Sequence, residues 1–198
     1  MYPAMIIALF LVLPIGSIVV EALVRRRRGA PVELLAIAGR WFVFWPVGVR
    51  LFTAGLMQIV NPGYTAQDVF GLSDPAVLPL VSELGFANVA MGAAALVSVA
   101  VAAWRTPAAL IGLLYFGLAG MRHLVSGGEF TDVRLIAMIS DLFIAAVLAV
   151  HLALLLARRR QARPVRGRAG ASPAAEHAVH DGPGRVTVPA VRSLRLGE

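Results

Sequence analysis

The chain has 198 residues, 59% of them apolar and 15% charged, with a mean hydropathy of +0.79. A soluble globular domain runs near about 45–50% apolar and roughly a quarter charged, so this composition points to lipid rather than water as the solvent. The net charge of +7 comes with no Cys, which excludes disulfides, thiolate metal sites and cysteine nucleophiles.

A transmembrane helix needs about 20 mostly apolar residues to cross the hydrocarbon layer. Residues 3–24 are the first such stretch, ending at the basic block Arg25–Arg28. A secretory signal would carry its basic residues before the apolar run; here four Arg follow it, so a retained anchor is expected. The second span lies within 33–60, with Pro31 suited to a helix start and Trp41 and Trp45 suited to the headgroup level. Asn61-Pro62-Gly63 stops it, because Pro cannot continue a helix and Gly tolerates the turn. The third span covers roughly 79–104 and ends at Trp104-Arg105. Thr106-Pro107 then restarts the chain into a fourth span over 107–125, which Ser126-Gly127-Gly128 breaks. Residues 134–157 form the fifth.

The expected fold is therefore an all-α membrane protein of five transmembrane helices over residues 1–160. Beyond them, residues 161–198 are rich in Arg, Pro, Gly and Ala, with few large apolar residues and no periodicity. Such a segment buries too little surface to offset chain entropy and is expected to be a disordered cytoplasmic tail.

All 18 basic side chains are Arg, a bias that fits a GC-rich bacterial genome, and their placement orients the chain. The segments at 25–40, at 105 and from 158 onward hold 15 of the 18. Five alternating spans put all three segments on one side, which the positive-inside rule makes cytoplasmic. The N-terminus is then outside, and the expected location is the bacterial cell membrane. Arg25–Arg28 and Arg158–Arg160 are expected to contact anionic headgroups of the bilayer. No aromatic residue interleaves with the second cluster, so no stacking platform for nucleic acid is expected.

An internal repeat runs through the spans. Ala54-Gly55 and Gln58-Ile59-Val60 close the second span as Ala119-Gly120 and His123-Leu124-Val125 close the fourth. In the helices that follow, Val81-Ser82-Glu83-Leu84 echoes Ile139-Ser140-Asp141-Leu142. Chance produces short matches in apolar helices, but two in the same order suggest a duplicated two-helix hairpin with the first helix added. Repeats of this parallel kind are related by an axis along the membrane normal, and transporter sites often lie between them.

Ionisable groups inside a span are costly and mark candidate sites. Counting ~1.5 Å per residue, Arg50 lies ~15 Å from Arg40, Arg122 ~25 Å from Arg105, and Asp141 ~25 Å from Arg158. Glu83 sits nearer the outer boundary, where snorkelling into headgroups is the plain alternative. Asp141 shares a face with Ala137, Ala145 and Ala149, a small-residue stripe that marks a close helix contact. It is expected to pair with Arg122, or otherwise with Arg50. Pro46, one turn before Arg50, is expected to disturb its helix and free a carbonyl. The candidate ligand-binding residues are Arg50, Glu83, Arg122, His123 and Asp141. No catalytic residue, metal ligand or cofactor is expected: His123 and His151 lie near opposite faces and cannot share one haem.

Three stretches carry a family resemblance: Phe44-Trp45-Pro46-Val47-Gly48-Val49-Arg50, Glu83-Leu84-Gly85-Phe86-Ala87-Asn88, and Gly117-Leu118-Ala119-Gly120-Met121-Arg122-His123. Over roughly 1–157 the chain resembles small bacterial multi-span membrane proteins grouped as a family of unknown function. It is also distantly similar to DoxX-type four-helix proteins in helix number and in an Arg-bearing early helix. That likeness implies a quinone-linked redox role, which lacks support from any Cys here. The leading expectation is a non-enzymatic protein that binds or transports a small solute or proton at the Arg/carboxylate cluster. The alternative is a structural or accessory subunit whose ion pairs only fix helix packing. No particular protein partner is implied.

Overall fold

The computed structural model describes residues 6–125 and 132–161, and its regular elements are all helical. Five helices are long and apolar enough to cross a membrane: α1 (Ala8–Arg27), α2 (Leu34–Val60), α3 (Pro75–Val97), α4 (Ala102–Val125) and α5 (Asp132–Gln161). The segment expected to be a disordered tail lies outside the described residues beyond Gln161, as does the Ser126-Gly127-Gly128 break.

The helix ends differ from expectation at α3 and α4. Asp74 caps the start of α3 by accepting from the Ala76 amide at 2.9 Å, with Pro75 at the first helical position, where its missing N–H costs nothing. At its other end α3 stops at Val97, seven residues short of Trp104. The chain turns there, and the Arg105 guanidinium donates to the freed carbonyls of Ser98 (3.1 Å) and Val99 (3.3 Å). Helix α4 consequently begins at Ala102 and takes Pro107 into its early turns, which tolerate proline.

Within α2, residues Val43–Val49 form a π-helical stretch around Pro46. Proline cannot donate to the carbonyl four residues back, and the ladder slips to a wider turn. Arg50 follows directly on this stretch.

The most extensive helix contacts pair α2 with α3 and α4 with α5, so four of the helices form two hairpins. Glycine sets the separation in both. A Cβ on Gly55 would stand 2.7 Å from the Gly85 carbonyl oxygen, and one on Gly120 would stand 2.8 Å from Leu142 side-chain carbons. Backbones approach this closely only where no side chain intervenes, which is how membrane helices gain packing without a hydrophobic drive. Between the hairpins lies a core of Val43, Val47 and Leu51 from α2, Ala108 and Phe116 from α4, and Ile144 and Leu148 from α5. Helix α1 packs on the first half of α2 and leaves much of its apolar surface open, Val12 and Val20 each being 61% exposed.

Candidate functional site

The seam between the hairpins is largely apolar, and two of its polar positions form an ion pair. Arg50 of α2 places Nη1 2.6 Å from Asp141 Oδ1 of α5. Both side chains are buried, 17% and 5% exposed. Two aromatic rings cover the guanidinium: Phe10 of α1 with its centroid 5.0 Å away, and Phe116 of α4 at 4.8 Å. Ring faces carry negative charge density and favour a cation in place of the water it has lost.

The partner of Asp141 in this pair is Arg50, the second of the two expected, and a register contact explains why. His151 of α5 packs its imidazole directly on Gly39 of α2, leaving no room for a Cβ there. These residues therefore lie at one level. Arg50 is eleven residues beyond Gly39 and Asp141 ten residues before His151, which brings them to a common height. The depth expected for Asp141 took Arg158 as level with Arg40. Arg158 lies seven residues past His151, so that origin was displaced by ~10 Å. Arg122, in turn, is six residues, ~9 Å, beyond the Phe116 that stacks on Arg50, and it sits exposed near the end of α4. His123 is half-buried and within electrostatic range of Asp141.

A second polar set lies along the seam. Asn88 of α3, 1% exposed, donates through Nδ2 to Gln58 Oε1 of α2 at 2.8 Å. Tyr115 of α4 lies against Asn88. Asn88 thus joins its own hairpin through Gln58 and faces the other hairpin through Tyr115. The sequence signal that could have found it was a lone amide on the glycine-bearing face of α3, with Gly85 and Gly92 one turn to either side.

Helices α2 and α4 share a burial pattern in the register of the expected repeat. Their buried positions align at a shift of 65 residues: Val43 with Ala108, Val47 with Gly112, Leu51 with Phe116, Gly55 with Gly120. The same shift relates Arg50 to Tyr115, so each hairpin sends one polar side chain from equivalent helical positions to the other. Between α3 and α5 the expected equivalence fails. The echo of Val81–Leu84 and Ile139–Leu142 is a shift of 58, whereas the buried faces align at 56, setting Gly85 against Asp141 and Gly92 against Leu148. Two residues are about 200° of helix rotation, enough to turn Glu83 out of the seam. Glu83 is exposed and does not join Asp141.

At the other end of the bundle, Glu21 of α1 is a hub that sequence reading passed over. Its Oε1 accepts from Arg25 Nε and Arg40 Nη1, and its Oε2 from Trp41 Nε1, each at 2.8 Å. Trp45 Nε1 donates to Ser17 Oγ at 3.0 Å. Both indoles thus fasten α2 to α1. Among the described residues no group of three His, Asp or Glu is placed to hold a metal ion.

No curated protein and no solved structure matches the chain. A family model does, across residues 4–164: the chain belongs to DUF6790, a family of unknown function.

Proposed function

We propose that this protein is a non-catalytic, multi-pass membrane protein that binds or moves a small anionic solute, linked to a proton, at the Arg50–Asp141 pair. The observation that supports this reading is the position of the pair. Glycine contacts hold each hairpin together internally, while the pair joins α2 to α5 across the seam. A pair so placed can be opened by either of two small species, an anion that takes the guanidinium or a proton that takes the carboxylate. Sites between parallel repeats let one hairpin rock against the other around a fixed centre. His123, toward the outer end, and the Asn88–Gln58 pair supply further polar groups along the same seam. The Arg distribution supports a bacterial inner membrane with the N-terminus outside, the C-terminus in the cytoplasm, and headgroup contacts at Arg25–Arg28 and Arg158–Arg160.

The test is proton uptake by proteoliposomes loaded with a pH-sensitive dye, with and without an imposed gradient of methanesulfonate, a strong-acid anion that does not itself carry protons through lipid. The parent is expected to couple the anion to proton movement and Asp141→Asn to lose the coupling while still folding. Absence of coupling in the parent, together with a stability loss in Asp141→Asn, would instead establish a structural pair. A specific feature favours that second reading: the two rings on Arg50 and the 4% exposure of Asp141 give the pair the form of a closed latch.

A further inference from the structure

The hub at Glu21 carries more positive charge than its carboxylate can balance. Arg25 and Arg40 both bind Glu21, from α1 and α2. Arg105 of α4, held on the carbonyls that end α3, lies within electrostatic range of Arg25, Arg40 and Glu21. Two guanidinium groups from two helices thus bind one carboxylate, and a third, from α4, lies within electrostatic range of all three. Arg40 is 23% exposed, and its Nε is buried with no hydrogen-bond partner. A buried charged N–H without an acceptor is costly, so the cluster is incomplete as a purely internal ion network. Trp41 of the hub and Trp104, beside Arg105 and 48% exposed, are residues suited to the headgroup level of a bilayer.

We propose that Arg25, Arg40 and Arg105 form a binding site for a phosphate group, either the headgroup phosphate of an anionic phospholipid or a soluble phosphate. Guanidinium groups match phosphate oxygens in geometry as well as charge, and basic pockets between helices on the cytoplasmic side suit such headgroups. The site differs from the polybasic run at Arg26–Arg28, whose exposed side chains attract any anionic surface without a fixed geometry. Neither its residues nor its ligand depends on the Arg50–Asp141 reading.

The test is binding to the full-length protein in neutral detergent, followed by native mass spectrometry and by thermal melting. Cardiolipin, phosphatidylglycerol, phosphatidylcholine and inorganic phosphate are added separately. The anionic lipids are expected to bind and to raise the melting temperature, with phosphatidylcholine inert. Arg105→Gln and Arg25→Gln are each expected to weaken binding about tenfold, and the triple change Arg26→Gln, Arg27→Gln, Arg28→Gln to leave it within about twofold. Inorganic phosphate reproducing the effect with the same variant dependence makes the ligand a soluble anion; lipid-only binding makes it a headgroup. Native mass spectrometry reads only the folded population, so poor folding of Arg105→Gln does not obscure the comparison, and Arg25→Gln, at a side chain 34% exposed, repeats it at a milder site. Equal weakening by the exposed triple and by the cluster variants would overturn the site in favour of diffuse attraction. So would the absence of binding by every phosphate tested.

Discussion

The two kinds of interface in this bundle use opposite chemistry. Inside each hairpin, helices meet closely at glycine, Gly55 against the Gly85 backbone and Gly120 against the Leu142 side chain. Across the seam, besides the contacts of Gly39 with His151 and Gly112 with Val47, they meet through long polar and aromatic side chains: an ion pair, two rings over a guanidinium, and a tyrosine against an amide. Close backbone contact leaves nothing that a proton or solute could alter. An ion pair in a low-dielectric interior is the reverse, strongly coupled to any change of charge. On the proposed function, the hairpins are fixed units and the seam is where a proton or solute would act.

Five substitutions, one of them used as a second-site change, can break or sharpen this contrast. The largest effect is expected for Gly85→Leu, since even a Cβ there would stand 2.9 Å from the Gly55 carbonyl oxygen. Backbone on the far side cannot move aside as a side chain can, and a loss of about 3 kcal/mol or more is expected in detergent unfolding. A tolerated leucine would remove the distinction between rigid hairpin and responsive seam. Asp141→Asn comes next, at about 2 kcal/mol, between the range for broken buried pairs in soluble proteins and the smaller couplings found in membrane bundles.

The same variant identifies the partner by double-mutant cycle. Adding Arg50→Gln is expected to recover part of the loss, because it removes the orphaned guanidinium, whereas Arg122→Gln is expected to add independently. Recovery with Arg122→Gln alone would move the pair to the end of α4. Phe116→Leu keeps most of the apolar volume and removes one ring from Arg50, so about 1 kcal/mol is expected from the lost cation–π contact. A thermal melt indistinguishable from the parent would show that the rings only fill space. Arg122→Gln, at an exposed position, is expected to change stability by less than about 1 kcal/mol, the range for exposed charged side chains.

Much of the site could be read from the chain, though not its pairing. Asp141 stood out because a carboxylate on a stripe of alanines must face protein, and its need for an Arg followed from charge alone. The choice between two arginines depended on the relative heights of α2, α4 and α5, which the Gly39–His151 contact sets. Glu83 looked like the counterpart of Asp141 because four residues matched in type, but a shift of two positions rotated it to the surface. Glu21 escaped notice because it sits among exposed arginines, where a carboxylate normally has no special role.

Five apolar runs, their punctuation by Pro and Gly, and the one-sided arginines are properties of consecutive residues, and the transfer of each segment to lipid depends on little else. The five apolar spans and the all-helical class were therefore legible from the sequence by itself. Helix rotation, depth and pairing depend instead on contacts between residues a hundred positions apart, such as Gly39 with His151 and Arg50 with Asp141. Only the tertiary structure decided those, because one contact such as the His151 imidazole on Gly39 fixes the height of a whole helix and leaves no local pattern beside it in the sequence.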